Sequence, residues 1–186
     1  TMDMDRFDDK NIKKLLSDTR TQRKGFELLV RQYSEKLYWQ VRRIVLTHDD
    51  AHDVLQNVYI KAWNGRDTFH GDSRLFTWLS RIAINESLDF VRRQKTMNAM
   101  SADDGGQSIA RMLMADEYFD GDRTVALLQE AVASLPDVQR TVFCLRYYDN
   151  MKYTQISQLL DTSEGALKAS YHIAVGKITQ FFKEHD

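Results

Sequence analysis

Two histidines with the spacing of metal ligands are the first residues whose types suggest chemistry. His48 and His52 are one helical turn apart, and each is followed by an aspartate. Two imidazoles at this spacing on a helix can chelate a divalent metal, as a metal-dependent phosphohydrolase requires. Such an enzyme needs further ligands from other helices, and we expect His48 to precede its helix, which would part the two rings. The other histidines each lie in a different kind of context: His70, His172 and His185. We therefore expect no metal, no cofactor and no catalytic residue.

A second candidate is a row of polar residues near the start of the last predicted helix: Glu164, Lys168 and His172. Residues four apart share one helix face. A short helix ("TQISQLL"), a turn ("DTSEG") and a longer helix ("ALKASYHIAVGKITQFF") form the helix-turn-helix pattern, which can place such a row in the major groove of DNA. The pattern is equally typical of an αα-hairpin that binds no DNA, and by itself it leaves both interpretations open.

The elements that would position these residues are helices throughout. The chain has one Pro and eight Gly in 186 residues, so little interrupts a helix, and we predict an all-α fold. The first helix carries an apolar stripe at three- and four-residue steps: Phe26, Leu29, Tyr33, Leu37, Val41, Ile44 and Val45. Asp49 or Asp50 would cap a second helix, and Asp72-Ser73 a third, after the loop "NGRDTFHGDS". These three helices are long enough to bury a core together.

The second half of the chain contains the predicted helix-turn-helix. One helix is expected over residues 125–133, and another restarts at Pro136, which the first turn of a helix tolerates. The last helix has an inward stripe: Leu167, Tyr171, Ala174, Ile178 and Phe181. Cys144, the only cysteine, lies in the apolar run "TVFCL" and is expected to be a small buried hydrophobe.

Charge is distributed unevenly and divides the chain. The 26 basic and 27 acidic residues give a net charge of -1, which excludes a uniformly basic DNA-binding protein. Residues 1–21 and 123–186 are each neutral, whereas residues 22–96 carry +4 and residues 97–122 carry -5. We therefore predict an N-terminal segment (1–21), a helical domain (22–96), an acidic linker (97–122) with a short helix at "ARMLMA", and a second helical domain (123–186).

Targeting signals are not evident in the sequence. The start "TMDMDRFDDK" lacks a basic and then apolar stretch, and no run approaches the ~18 apolar residues of a membrane span. We expect a cytoplasmic protein with no direct membrane insertion.

Two long stretches resemble the bacterial sigma factors. "DDAHDVLQNVYIKAWNGRDTFHGDSRLFTWLSRIAINESLDFVRRQK" resembles their region 2, and "SLPDVQRTVFCLRYYDNMKYTQISQLLDTSEGALKASYHIAVGKI" resembles their region 4. The acidic linker stands where other sigma regions would lie, which is typical of the extracytoplasmic-function (ECF) group. The resemblance implies a three-helix region 2 bundle and a region 4 helix-turn-helix that together direct core RNA polymerase to promoter DNA.

The resemblance also implies roles for particular residues. The second helix of region 2 would bind core polymerase through Asp50, Asp53, Gln56 and Asn57. The loop and third helix would bind the melted minus-ten element through a base pocket (Lys61, Gly65, Phe69 and Asn85) and phosphate contacts (Arg74, Arg81, Arg92 and Arg93). Trp63 and Trp78 are expected in the core. Region 4 would bind the minus-thirty-five element through Arg146, Ser163, Glu164, Gly165, Lys168 and His172.

The chain departs from the family pattern in two places. Asn57 stands where an acidic residue is usual, and three arginines of the usual recognition helix are missing from 168–175, where this chain reads "KASYHIAV". We therefore expect weaker phosphate contacts at the minus-thirty-five element. Family members are commonly held inactive by an anti-sigma factor, often membrane-bound, and such a partner is expected here.

Two other classes of protein remain as alternatives. A helix-turn-helix repressor or activator that works without polymerase explains residues 123–186 but gives Phe69 and Asn85 no role. An interaction adaptor would bind neither promoter nor core polymerase. Formation of a stable complex with core polymerase distinguishes both from a sigma factor.

Overall fold

The computed structural model describes residues 8–69, 71, 74–100 and 122–185, and over these the chain is helical and has no strand. This confirms the all-α prediction for the described residues. The described residues form eight α-helices, with a 3-10 turn at Arg66–Thr68 between the third and fourth: α1 Asp9–Ser17, α2 Gln22–Val45, α3 His48–Asn64, α4 Leu75–Met100, α5 Arg123–Ala133, α6 Asp137–Tyr147, α7 Tyr153–Leu160 and α8 Glu164–Glu184. The predicted helix at "ARMLMA" and the predicted Asp72-Ser73 cap lie outside the described residues.

Helix α2 is the centre of the N-terminal bundle and packs against α1, α3 and α4. Its predicted stripe is buried, with Leu37 and Val41 fully so. Trp63 and Trp78, expected in the core, are only partly buried at its edge. Helix α4 extends to Met100, into the range predicted as linker.

Helix α1 is a fourth member of this bundle, in a segment for which the sequence predicted no structure. Ile12 is fully buried, and the Tyr33 hydroxyl donates a hydrogen bond to the Asp9 carboxylate. At Gly25 the two helices approach so closely that a Cβ there would lie 2.9 Å from both Leu15 Cβ and Leu16 N. This close approach requires glycine, because backbone atoms cannot give way as a flexible side chain can.

The predicted cap of α3 is wrong by two or three residues. Thr47 is the N-cap, and its hydroxyl accepts a hydrogen bond from the Asp50 amide (3.3 Å). Asp49 and Asp50 instead lie in the first turn, where a carboxylate interacts favourably with the helix dipole. His48 is consequently the first residue of α3 rather than a residue ahead of it.

The helix-turn-helix forms as predicted from α7 and α8. Asp161 takes the left-handed conformation (φ 51°) that ends α7, and the Ser163 hydroxyl caps α8 by accepting from the Ala166 amide (3.2 Å). The inward stripe of α8 is buried at Leu167, Ala174 and Ile178. Pro136 is the N-cap of α6 rather than a residue of its first turn.

Helix α6 also packs against α2, so the C-terminal helices contact the N-terminal bundle. The buried Arg140 guanidinium donates to the Ile44 carbonyl at the end of α2 (2.7 Å) and to the Leu135 carbonyl (2.9 Å). Arg43 Nη1 lies 3.9 Å from Asp149 Oδ1, and Lys95 Nζ lies 2.5 Å from Asp137 Oδ2. Apart from the bond to Leu135, these polar contacts join residues about 40 to 100 positions apart in the sequence.

Candidate nucleic-acid interface

One face of α4 collects the cations that the resemblance implies in minus-ten binding. Arg74, Arg81, Asn85 and Arg92 follow one another at steps of seven, four and seven residues, which places them on one side of a helix. All four side chains are exposed, as is Arg93. Arg92 forms an exposed ion pair with Asp89 (3.1 Å), whereas Arg81 has no ion pair within the described ranges. This face offers an amide with a donor and an acceptor between guanidinium groups.

The α3–α4 connection, described at residues 65–69, 71 and 74, lies at the start of this face. Gly65 ends α3 and accepts from the Thr68 hydroxyl (2.6 Å), and a Cβ at Gly65 would lie only 3.1 Å from the Lys61 carbonyl. The Phe69 ring packs on Trp78 with centroids 5.3 Å apart. An aromatic pair is thus held next to the polar face of α4.

Lys61 reaches this region from α3. Its ammonium forms an ion pair with Glu86, the immediate neighbour of Asn85. The Lys61 side chain is 60% exposed but that of Glu86 only 8%, so the carboxylate is the fixed partner. Lys61 therefore contacts the residue next to Asn85, the other implied pocket residue, and part of the lysine charge is neutralised.

Lys13 of α1 also reaches the α3–α4 connection, a contact that no sequence pattern indicates. Its ammonium donates to the Gly71 carbonyl (3.3 Å) and lies 5.7 Å from the centroid of the Phe69 ring. The amphipathic run "NIKKLL" indicates a helix with lysines on its polar face. Which of these lysines faces the α3–α4 connection depends on how α1 packs against α2.

The exposed face of α3 contains the residues implied in core polymerase binding. Asp53, Gln56 and Asn57 are exposed, whereas Asp50 is partly buried beside its cap. Ile60, one turn beyond Gln56, is 59% exposed on the same face. The polar residues implied in core binding therefore share their face with an apolar side chain that the sequence analysis did not single out.

The start of α8 presents the residues implied in minus-thirty-five binding. Glu164, Gly165, Lys168 and His172 are all exposed, next to the cap residue Ser163. Ile173, the residue after His172, is 48% exposed at a position where the resemblance to sigma factors implies an arginine. This surface has one lysine and an apolar side chain in place of several arginines.

Arg146 lies apart from this exposed row. Its guanidinium donates to the Met151 carbonyl (3.0 Å) and lies 5.1 Å from the Tyr153 ring. Arg146 thus holds the turn between α6 and α7, and its availability to DNA is reduced by these contacts.

The histidine pair is arranged differently from the expectation. His48 and His52 do share a face of α3, with ring centroids 6.4 Å apart, and His48 Nδ1 is 2.7 Å from the Tyr38 hydroxyl. Among the described residues, no cluster of three or more His, Cys, Asp or Glu side chains could hold a metal. Burial raises the pKa of the Cys144 thiol to about 12, so this thiol is a protonated core residue.

No helix in the described part of the chain is long and apolar enough to span a bilayer.

Comparison with known proteins identifies the family. The Sigma-70 region 2 model matches residues 29–96, and the Sigma-70 region 4 model matches residues 126–178. The ECF RNA polymerase sigma factor SigW of Bacillus subtilis is 30% identical over 156 residues, which are 80% of this chain and 83% of that protein. The ECF RNA polymerase sigma-E factor of Escherichia coli K12 is 29% identical over 154 residues, or 78% and 80% of the two chains.

Two solved structures share the fold. The sigma factor RpoE of Bartonella quintana, in complex with the anti-sigma factor NepR, has a TM-score of 0.68 at 21% identity and covers 86% of this chain and 98% of its own. CnrH, in complex with the cytosolic domain of CnrY, has a TM-score of 0.67 at 21% identity and covers 96% and 99%. Because both sigma regions match in order and the sequence relatives share this layout over most of their length, the chain belongs to the ECF RNA polymerase sigma factors, which recognise promoters in transcription initiation.

Proposed function

We propose that this sigma factor captures the melted minus-ten strand between the α3–α4 connection and the exposed face of α4. The observation that carries the proposal is the exposed Asn85, one turn from Arg81, on the helix whose start carries the Phe69–Trp78 pair. A base leaves its stack only where a protein supplies an aromatic or apolar surface and groups that pair with its edge. The Asn85 amide supplies a donor and an acceptor, and Arg74, Arg81, Arg92 and Arg93 supply charge for the backbone.

Core polymerase is proposed to bind the exposed face of α3. Asp53, Gln56 and Asn57 provide a polar rim, and the 59% exposed Ile60 provides an apolar contact. Interfaces commonly combine these two features, since the apolar side chain gains from burial while the polar ones fix orientation.

The start of α8 is proposed to bind duplex DNA at the minus-thirty-five element. Ser163, Glu164, Gly165, Lys168 and His172 form its contact row, and the single lysine makes the phosphate contribution small. Arg146 acts in this proposal by holding the turn that positions α7 against α8.

Residues 22–96 and 123–186 are accordingly proposed as the two promoter-binding domains, joined by the linker 97–122. The neighbour RpoE is bound to the anti-sigma factor NepR, and CnrH is bound to the cytosolic domain of CnrY, which supports an anti-sigma partner for this chain. We further infer that the chain catalyses no reaction of its own, and that it works in the cytoplasm because its partners are polymerase and promoter DNA.

The test uses core polymerase, a promoter selected with the reconstituted holoenzyme, and two variants, Phe69→Ala and Asn85→Ala. Both should retain core affinity but lose promoter opening, measured by permanganate reactivity of unpaired thymines. Asn11→Ala, an exposed asparagine on α1, is the matched control. Equal losses of core affinity and opening would contradict the assignment of the minus-ten surface.

A further inference from the structure

We infer that Lys13 of helix α1 is a positioning residue for minus-ten recognition, an inference that rests on the function proposed for Phe69. No motif of region 2 includes this residue, since the region 2 match begins at residue 29. The inference depends on three observations: α1 is rigidly held, Lys13 contacts the α3–α4 connection twice, and neighbouring lysines do not.

Helix α1 is fixed to the bundle at three successive points. Asp9 accepts from Tyr33, Ile12 is fully buried, and Gly25 permits α2 to approach the backbone of residues 15 and 16. A side chain that projects from this helix therefore has a defined position relative to α2 and to the elements packed on it.

Lys13 uses this position to hold the α3–α4 connection. The ammonium donates to the Gly71 carbonyl (3.3 Å) and lies 5.7 Å from the Phe69 ring centroid. Gly71 has φ 79°, a left-handed conformation that glycine adopts without strain, and its Cβ position faces open space. The bond from Lys13 restricts where the backbone two residues from Phe69 can lie.

The other lysines of α1 provide matched comparisons. Lys10 and Lys14 are exposed, and neither ammonium has a hydrogen bond or ion pair with a described residue. Replacing either one removes the same charge from the same helix as replacing Lys13, without touching the α3–α4 connection.

Functionally, this contact prepares the aromatic surface before DNA arrives. A pocket that is already ordered loses less conformational entropy when it accepts a base. The cation near the ring also favours the stacked position of Phe69 through its interaction with the π electrons. Promoter opening should therefore depend on a residue that lies outside the matched sigma regions.

The experiment compares Lys13→Met, Lys13→Arg, Lys10→Met and Lys14→Met in holoenzyme on the selected promoter. Because the bond from Lys13 to Gly71 is exposed and long (3.3 Å), its loss in Lys13→Met should reduce the open-complex equilibrium by only roughly three- to tenfold. Lys13→Arg should restore opening, and the two control variants should match the unmodified protein. Core affinity and the thermal midpoint of the free chain should not change.

A second readout tests positioning directly. Arg74 is exposed within the α3–α4 connection, so tryptic cleavage after Arg74 in the native free chain should be faster in Lys13→Met than in Lys14→Met. The inference is overturned if Lys13→Met opens the promoter normally, if the controls lose as much, or if cleavage is unchanged. Phe69→Ala distinguishes a failure of this inference from a failure of the proposed function. If Phe69→Ala abolishes promoter opening and Lys13→Met does not, only the role of Lys13 is wrong.

Discussion

Replacing the buried Arg140 by methionine should weaken the contact between the C-terminal helices and the N-terminal bundle. Arg140 is 4% exposed, and its guanidinium donates to the Ile44 carbonyl across this contact. Ile44 lies in the last turn of α2, whose carbonyl groups lack intrahelical partners and carry the negative end of the helix dipole. Methionine preserves most of the apolar stem but removes the charge and every donor.

The magnitude follows from the bonds that are lost. A hydrogen bond to a charged group contributes about 1.5–3 kcal/mol, and a buried carbonyl left without a donor adds to the loss. The Arg43–Asp149 ion pair across the same contact contributes less than the Arg140 hydrogen bonds, because burial raises the pKa of Asp149 even though Arg43 and Gln40 favour its carboxylate form. We therefore expect the free energy of unfolding to fall by about 3 kcal/mol, or the melting temperature by roughly 6–12 °C.

Tryptophan fluorescence shows whether this stabilisation crosses between the two sets of helices. All three tryptophans (Trp39, Trp63 and Trp78) lie in the N-terminal bundle, whereas far-UV circular dichroism reports every helix. Trp39 also lines a cavity of about 390 Å³ between α2 and the C-terminal helices. In urea, the two signals of the unmodified chain should change together, and Arg140→Met should lower the fluorescence midpoint as well.

The control is Arg123→Met, which removes an exposed arginine from the first turn of α5. A fluorescence midpoint that is the same in both variants would refute the reasoning. A lower circular dichroism midpoint with an unchanged fluorescence midpoint would also refute it. Arg140 would then stabilise only the C-terminal helices, through its bonds to Leu135 and Asp137.

Three further predictions follow from burial and exposure. The Cys144 thiol, whose pKa burial raises to about 12, should resist a disulfide reagent at pH 8 until the chain unfolds. Because the thiol of the unfolded chain ionises at a lower pH than that of the folded chain, the free energy of unfolding should fall as pH rises from about 9 to 12, and should fall less in Cys144→Ala. Leu37→Ala, at a fully buried site of α2, should lower the free energy of unfolding by about 2–5 kcal/mol in urea titrations, and a loss below 1 kcal/mol would contradict its place in the core. Lys168→Ala should weaken binding of the minus-thirty-five duplex and reduce the salt slope by about one, measured by holoenzyme binding at several salt concentrations, whereas Lys177→Ala, on the opposite side of α8, should not.

The sequence predicted what depends on local periodicity. The stripe through Leu37 and Val41 and the exposed row at Lys168 follow from the 3.6-residue period alone, and both are placed as expected. The cap of α3 was misplaced because Thr47, Asp49 and Asp50 can all cap a helix and lie within four positions of each other.

Contacts between distant segments could not be predicted in this way. The bond from Arg140 to Ile44 joins residues 96 positions apart, and the one from Lys13 to Gly71 joins residues 58 apart. Neither has a local signal, since each depends on how whole helices dock. Gly25 illustrates this, because only the packed structure shows that its missing side chain admits α1.

Fewer cations of the minus-ten surface are unpaired than its basic residues suggest. Lys61 is paired with Glu86, and Arg92 with Asp89, two of the acids already counted in the net +4 of residues 22–96. The two pairs differ in consequence. Both side chains of the Arg92–Asp89 pair are exposed, and the pair contributes at most about 1 kcal/mol to the free energy of unfolding. A phosphate can therefore replace the carboxylate at little cost.

Glu86 is largely buried, so losing Lys61 would leave a carboxylate short of both water and a partner, and we expect that pair to persist when DNA binds. Lys61 then acts mainly by fixing Glu86 beside Asn85. Arg74, Arg81 and Arg93, which have no ion pair among the described residues, are left as the cations that can meet a phosphate without displacing an acid. The number of counterions released by minus-ten DNA should therefore be lower than the number of cations on this surface, because part of their charge is already balanced within the protein.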